Sequence, residues 1–179
     1  MTRIIFFFLV FVLTSVSTVY AQAPIASPSA SAQASESASY QLPFPGLLPD
    51  HPLYIFKTVR DRIIDILIGD PVEKTRFYIT SADKRLSASI ALVDKGKPQL
   101  AETTASKGEE YLARAVASRE QAAKEGKDVS TITTKLMNSL NRHESALLDL
   151  ATKTEGGVKD RFTELSANAR QYRESVQSK

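Results

Sequence analysis

The sequence predicts an all-α protein, and three observations support this fold class. Apolar residues recur at spacings of three and four through five successive segments, as they do on one face of an α-helix. Proline and glycine stand where those segments begin and end. No alternating β-branched run is bounded by Asn-Gly or Asp-Gly turns, so no strand is predicted. We expect an elongated antiparallel bundle of four to five helices, preceded by a signal peptide and a disordered tether.

Residues 1–21 have the pattern of a secretory signal peptide. One basic residue, Arg3, precedes an apolar run over residues 4–12, and small residues stand before a cleavage point after Ala21. A retained membrane anchor is the alternative, although the apolar run is shorter than the ~20 residues that span a bilayer. The segment therefore predicts an exported, extracytoplasmic protein that is secreted, at the cell surface, in the periplasm, or anchored by its N-terminus.

The composition of the rest of the chain limits its class. Residues 22–39 are rich in Ala, Ser and Pro and carry one charge, which predicts a disordered tether ahead of a helical domain over residues 40–179. The absence of cysteine excludes disulfides, a lipoprotein attachment site and thiolate metal ligands. The 23 basic and 20 acidic residues alternate along the helices, which is unlike a nucleic-acid-binding surface.

The first predicted helix, residues 52–68, is the most hydrophobic segment after the signal peptide. Asp50 has the side chain of an N-cap, and Pro52 suits the first turn of a helix. The residues that recur at spacings of three and four on its apolar face are Leu53, Phe56, Val59, Ile63 and Leu67, joined by Ile55 and Ile66. We expect this helix to be buried at the centre of the bundle, with the other helices packed around it.

An arm of residues 40–48 leads to this helix. Three prolines at positions 43, 45 and 49 favour an extended and stiff backbone. The arm carries apolar side chains at Tyr40, Phe44, Leu47 and Leu48, which either cover one end of the bundle as a lid or form an exposed docking strip. We expect the lid.

Four longer helices follow, over residues 71–95, 98–125, 130–155 and 158–177. Asp70-Pro71 begins the first of them directly after Gly69, which implies a tight corner. The helix over residues 98–125 has an inward stripe of small residues, and we expect Ala105, Gly108 and Ala115 to allow close packing. The last helix has the most regular apolar stripe and either packs as the final member or projects as an amphipathic tail.

The first helix also carries a charged face. Lys57, Arg60, Asp61, Arg62 and Asp65 alternate in sign, and several lie four residues apart. We expect these residues to pair with the next helix and to fix the corner between the two. Binding of a partner is the alternative.

Candidate catalytic and ligand-binding residues are few. His143 lies on an apolar stripe and is a weak metal candidate, because bundles that bind metal place Glu-x-x-His pairs inward on two helices and no such pair occurs here. We expect a packed or hydrogen-bonded histidine instead, and we expect Glu109 and Glu110 to be solvated. No Gly-x-Ser-x-Gly elbow or phosphate-binding glycine loop is present. We therefore predict no catalytic residue, no cofactor and no enzymatic activity.

Four segments resemble a known family. They are PGLLPDHPLY (45–54), KTVRDRI (57–63), DPVEK (70–74) and ADKRL (82–86). Their order and spacing resemble an uncharacterised family of exported bacterial all-helical proteins, a domain of unknown function with an LPD-x-PLY, DP-x-x-K and AD-x-RL signature. The resemblance runs from about Leu42 to Ala117 and implies an extracytoplasmic helical domain without a known activity. The positions that match the signature are Pro49, Asp50, Pro52, Leu53, Tyr54, Lys57, Asp70, Pro71, Lys74, Arg85 and Leu86.

These observations favour an exported, non-enzymatic helical bundle that serves the cell envelope as a protein-interaction or structural module. Its partner would be another envelope protein or a second copy of the chain, and not nucleic acid. The first alternative is an extracytoplasmic metal- or stress-sensing protein, in which His143 meets carboxylates of another helix. The second is a protein bound to a membrane surface through the amphipathic face of the last helix.

Overall fold

The structure, a computed structural model, describes residues 40–178. The predicted signal peptide and tether lie outside the described residues. The described chain contains five helices and no strand: α1 (Tyr54–Leu67), α2 (Pro71–Asp94), α3 (Pro98–Lys124), α4 (Ser130–Thr152) and α5 (Gly156–Gln177). The predicted all-α class is confirmed, and the ends of the helices lie within three residues of their predicted positions.

Local signals in the sequence account for the helix ends. Oδ1 of Asp70 accepts hydrogen bonds from the backbone N–H groups of Val72 and Glu73, at 2.8 and 3.0 Å, and so caps α2 as predicted. Gly96 follows α2 with a φ of +70°, the left-handed conformation that a glycine adopts after a helix at little cost. The helix α5 begins at Gly156 rather than at residue 158, so the glycine pair opens this helix.

The four long helices form an antiparallel bundle. Helix α2 packs against α3 and α4, and α5 packs against the same two helices, so the order around the bundle is α2, α3, α5, α4. Helices α3 and α4 also touch across the diagonal. Links of three to five residues join the four helices in sequence, and each link reverses the direction of the chain.

The bundle contains two apolar clusters, one toward each end. The first is formed by Tyr78, Ile79, Ala82, Leu112, Ala115, Val116, Ile132, Leu136, Leu140 and Val176. The second is formed by Leu86, Leu92, Ala101, Ala105, Ala146, Leu147, Leu150, Ala151, Phe162 and Leu165. All of these residues belong to α2–α5, and the last helix packs as a full member of the bundle. Its apolar face is therefore covered by protein and not presented to a membrane.

The prediction that the first helix forms a buried centre is wrong. No residue of α1 is buried, and α1 packs on the outside of a bundle that is already closed by the other four helices. Lys57, Asp61 and Asp65 of its charged face point inward, while its apolar face points to solvent. An apolar stripe shows that a helix has a surface to bury, but the stripe does not say what covers it.

The arm lies along the side of α2 and does not cover an end of the bundle. The Tyr40 hydroxyl donates to Oδ2 of Asp83 at 2.6 Å, and the Ser87 hydroxyl donates to the carbonyl of Pro43 at 2.8 Å. Leu42 packs against the second apolar cluster. Phe44 is 83% exposed, so the predicted lid is wrong for this residue.

The predicted cap of the first helix is also wrong. Helix α1 begins at Tyr54 after Leu53, and no side chain caps it. Asp50 instead accepts a hydrogen bond from Nζ of Lys97 at 2.8 Å, which lowers the pKa of the Asp50 carboxyl, and it thereby ties the turn before α1 to the start of α3. His51 is exposed, and its Nδ1 accepts a hydrogen bond from the N–H of Leu53 at 3.1 Å.

No helix between Tyr54 and Gln177 is long and apolar enough to cross a bilayer.

Candidate functional site

The most unusual surface of the described chain is the outer face of α1, which we call the apolar ridge. It consists of Ile55, Phe56, Val59, Ile63, Ile66 and Leu67, each of which is 52 to 76% exposed. At these exposures, the six side chains together present on the order of 600 Å² of apolar surface to solvent. This area lies at the upper end of the range found for the largest apolar patch on a typical monomer. Large exposed patches of this kind mark interaction surfaces.

The apolar ridge has a defined width and charged flanks. At 100° per residue the six side chains cover about 120° of the helix, and the exposed residues Arg60 and Arg62 lie at its two edges. The acidic residues of α1, Asp61 and Asp65, point toward the bundle, where their side chains are 15% and 24% exposed. The outer face of α1 is therefore apolar in the middle and basic on both sides.

Polar contacts hold α1 on the bundle. A guanidinium N–H of Arg85 on α2 donates to the Tyr54 hydroxyl at 2.9 Å. Nζ of Lys57 donates to the carbonyl of Pro45 at 2.7 Å, and Asp65 pairs with Arg114 of α3 at 3.8 Å. The charged face was expected to pair with the next helix, but Asp65 pairs with α3 instead, and Asp61 pairs with Arg60 on α1 itself.

A cleft opens on each side of α1. The cleft between α1 and α2 has a volume of about 200 Å³ and is lined by the cations Lys57, Arg60, Lys84 and Arg85. Burial lowers the pKa of Lys57, and the neighbouring cations lower it further, while Asp61 opposes the shift. The cleft between α1 and α3 is larger, at about 630 Å³. Four of its lining residues are basic and one is acidic: Arg62, Arg85, Lys107 and Arg114 against Asp65.

A second constellation lies inside the bundle, between the two apolar clusters. His143 of α4 is fully buried, with Nδ1 at 2.7 Å from Oε1 of Glu109 on α3 and Nε2 at 3.3 Å from Oδ1 of Asp83 on α2. Asp83 also accepts hydrogen bonds from the hydroxyls of Ser139 and Tyr40, both at 2.6 Å. We call Asp83, Glu109 and His143 the buried triad.

The electrostatics of the buried triad favour a charged imidazole. Burial on its own lowers the pKa of His143, but the close contacts with the negatively charged Asp83 and Glu109 carboxylates outweigh this effect and raise the pKa to about 9. The contact with Glu109 is a hydrogen bond, whereas the contact with Asp83 is an ion pair without hydrogen-bond alignment. Burial and the adjacent Asp83 carboxylate also raise the pKa of the Tyr40 phenol, which therefore stays a donor.

The buried triad has contacts that the metal-sensing alternative requires, since His143 meets carboxylates from two other helices. Each ring nitrogen, however, faces its own carboxylate on opposite sides of the imidazole, so the oxygens do not converge with a nitrogen on one point. Between residues 40 and 178, no group of three or more His, Asp or Glu side chains could hold a metal ion. The geometry therefore points to structural charge pairing.

Sequence reasoning missed two members of this triad. Glu109 was expected to be solvated, but it is only 4% exposed. Glu109 lies four residues after buried Ala105 and three before buried Leu112, and Asp83 stands in the same relation to Ile79 and Leu86. The sequence did contain a signal for this cluster. Two helices each carry a carboxylate at an inward position, and a third helix carries an inward histidine.

Several residues of the family signature come together around the α1 attachment. Tyr54, Lys57 and Arg85 meet between α1 and α2, where Nζ of Lys57 lies 5.5 Å from the centre of the Tyr54 ring. Asp70 and Pro71 begin α2, and Leu86 is fully buried in the second cluster. The remaining positions are partly or fully exposed: Pro49, Asp50, Pro52, Leu53 and Lys74.

The profile of one protein family matches residues 46–155, which include α1–α4 and most of the turn before α1. This family is described as a domain of unknown function, DUF5667. The chain belongs to this family. The DUF5667 match extends beyond the segments that carry the resemblance in sequence and includes His143, while α5 lies outside it. No curated protein and no solved structure shows significant similarity to the chain.

Proposed function

We propose that this DUF5667 domain is a non-enzymatic protein-docking module that receives an amphipathic helix with acidic flanks on the apolar ridge of α1. The observation that carries the proposal is the outward orientation of this ridge. Burying an apolar area on the order of 600 Å² is worth roughly 15 kcal/mol at about 25 cal/mol per Å². Association costs an estimated 4–15 kcal/mol, which burial of the whole ridge would offset.

The spacing of the ridge suits a helical partner. Phe56, Val59, Ile63 and Ile66 follow one another at intervals of three, four and three residues, which is the repeat that a facing helix packs against. The width of about 120° matches the stripe that helices of globular proteins bury against one another. A helix laid on this stripe would cover it along its whole length.

The charges beside the ridge select the kind of helix. Arg60 and Arg62 border the ridge on its two sides, and the cleft between α1 and α2 is basic, so acidic side chains on the partner would complement these charges. If a second copy of α1 packed antiparallel on the ridge, its arginines would lie next to Arg60 and Arg62 of the first copy. Such like-charge contacts are destabilising, and charge complementarity therefore favours a different protein.

The non-enzymatic character and the cell-envelope location are parts of the same proposal. The buried triad is sealed inside the bundle, where no substrate reaches it, and this supports a structural role for the described polar cluster. The location is supported by the signal-peptide pattern over residues 1–21.

The test uses two synthetic peptides of about three heptads with the same apolar seam, one with Glu and one with Lys at the flanking positions. Binding to residues 22–179, which include the whole described bundle, is measured by fluorescence anisotropy. We expect the Glu peptide to bind at least about tenfold more tightly than the Lys peptide, a difference of about 1.4 kcal/mol.

Ridge variants and a matched control locate the binding surface. The double variant Phe56→Glu, Ile63→Glu should bind the Glu peptide at least about tenfold more weakly than the unmodified chain. Leu148→Glu, which changes an exposed leucine on α4, should leave binding unchanged.

Two outcomes would overturn the proposal. The first is a dimer of residues 22–179, seen by light scattering and dissociated by the ridge variants, because the occupant would then be a second copy. The second is ridge-dependent binding to anionic vesicles without binding of either peptide, because the occupant would then be a lipid surface.

A further inference from the structure

We infer that the cleft between α1 and α3 is a binding site for a phosphate group, presented by a small ester or by a lipid headgroup. This site goes beyond the docking function, because it lies beside the apolar ridge and most of its cations come from α2 and α3. The cleft has a volume of about 630 Å³, which is large enough for a phosphate ester of a small molecule.

The cleft carries an excess of positive charge. Arg62, Arg85, Lys107 and Arg114 line it, and Asp65 is its one acidic lining residue. Asp65 pairs with Arg114, which leaves three cations without a carboxylate partner in the cleft. A concave surface of one charge sign between protein walls concentrates the field and attracts counter-ions.

Two of the cations are held in place by one aromatic ring. The guanidinium carbons of Arg85 and Arg114 lie 5.0 and 5.6 Å from the centre of the Tyr111 ring. Arg85 is further fixed by its hydrogen bond to the Tyr54 hydroxyl. A guanidinium has five N–H donors, so each arginine keeps donors for a ligand after these contacts. The Tyr111 ring therefore holds two guanidinium groups at the cleft between α1 and α3.

The other two cations have no competing partner. Neither Arg62 nor Lys107 forms a hydrogen bond or an ion pair with another residue between positions 40 and 178. Surface charge kept only for solubility gains nothing from bringing four cations to one cleft, since like charges repel. A multiply charged anion would relieve this repulsion.

Phosphate fits this arrangement better than a single carboxylate. A phosphate monoester carries about −1.5 to −2 charges at neutral pH and three acceptor oxygens, which match paired arginine forks and a lysine. Val59 and Ile66 of the apolar ridge form part of the cleft wall, so a ligand with an acyl chain would also find apolar surface there. The shared chemistry is the phosphate, and the test separates its two sources.

The test titrates residues 22–179 in chloride buffer with glycerol 3-phosphate by isothermal titration calorimetry. Lys107→Gln and Arg114→Gln should each weaken binding by at least about tenfold, because each removes a charge that faces the phosphate. Arg142→Gln removes the same charge from the exposed side of α4 and should change binding by less than about twofold. Lys107 is exposed and forms no hydrogen bond or ion pair within residues 40–178, so its replacement should leave the fold intact.

A second arm uses sedimentation with vesicles of phosphatidylcholine, with and without phosphatidic acid. Binding of the soluble ester supports a small-molecule source, and binding only to phosphatidic acid vesicles with the same variant dependence supports a headgroup. Two results would refute the site. One is no detectable binding of glycerol 3-phosphate in chloride buffer together with no binding to phosphatidic acid vesicles. The other is an equal loss of affinity for Arg142→Gln and Lys107→Gln. Phe56→Glu should leave ester binding intact, so this inference and the docking function fail separately.

Discussion

The buried triad is the most consequential set of individual residues in the protein. Placing charged groups in the interior costs several kcal/mol each in lost hydration, and only mutual pairing offsets this cost. Here one imidazolium lies between two carboxylates, and the hydroxyls of Tyr40 and Ser139 donate to one of them. The buried triad lies between two apolar clusters. A shift of one helix along another would separate its charges, so the triad also favours one register of helix packing over shifted ones.

Stability should depend on pH through His143. Its pKa is about 6.5 when unfolded and about 9 in the bundle, so the folded state holds the proton more tightly. The contribution, on the order of 3 kcal/mol, is present in full below pH 6.5 and is lost as the pH rises through 9. Urea unfolding of residues 22–179 between pH 6 and pH 9.5 should show this decline. Unchanged stability over that range would mean that the imidazole is neutral in the fold.

Removing the imidazole alone should be severe. His143→Leu leaves two carboxylates buried without a counter-charge, and we expect a loss of about 3–5 kcal/mol in the free energy of unfolding at pH 7. The triple variant Asp83→Asn, Glu109→Gln, His143→Leu should be more stable than the single variant, because no uncompensated charge remains. Urea denaturation compares the two, and equal stability would argue against coupling within the triad.

At the scale of the helix, α1 is set apart from α2–α5. The four long helices bury apolar stripes against one another, whereas α1 attaches through its polar face and leaves its stripe in solvent. Its contribution to the stability of the isolated domain should therefore come from a few polar contacts, such as the one between Tyr54 and Arg85.

Truncating the ridge should hardly affect folding. Phe56→Ala and Ile63→Ala remove side chains that are already exposed, so each should change the free energy of unfolding by less than about 0.5 kcal/mol. Leu136→Ala, at a fully buried position of α4, should cost about 2–5 kcal/mol. Chemical denaturation measures all three. A cost above 2 kcal/mol at Phe56 would restore the buried-centre interpretation.

Close packing of α3 on α2 should limit the size of residue 108. A Cβ at Gly108 would lie 3.4 Å from Cβ of Arg85 and 3.9 Å from Cε1 of His143, which is ordinary contact. Gly108→Ala should therefore be neutral or stabilising by up to about 1 kcal/mol, through helix propensity. Gly108→Leu should cost at least about 1–3 kcal/mol by overpacking. Thermal melts of both variants test this, and a tolerated leucine would contradict the observed packing.

At the scale of the whole molecule, the domain divides into a closed four-helix bundle and an attached arm and first helix. Both apolar clusters belong entirely to α2–α5, while the arm and α1 provide polar contacts to the outside of α2 and α3. The function proposed here needs this division, because a helix whose inner contacts are polar can present its apolar face.

A chain that begins at Asp70 should still fold. Residues 70–179 keep every member of both apolar clusters, so circular dichroism should show a cooperative thermal transition. Its midpoint should be lower, because Asp83 loses the hydrogen bond from Tyr40, a change worth about 1–3 kcal/mol. Loss of the transition would mean that α1 is required for the core.

The sequence by itself determined the helices of this protein and, to within three residues, where they begin and end. A period of three and four along each stripe, Asp70-Pro71 at one start and Gly96 at one end are local features that act through neighbouring residues. The sequence also determined the inward face of α5, because this helix carries a single regular apolar stripe.

Only the tertiary structure decided which stripe stays uncovered and which charges are buried. Whether a helix covers its apolar face depends on the space left by the others, and α2–α5 close a bundle without α1. Asp83, Glu109 and His143 lie on three separate helices, far apart in the chain. Their pairing depends on the rotation of each helix about its own axis, which is set by packing against the other helices and not by the local sequence.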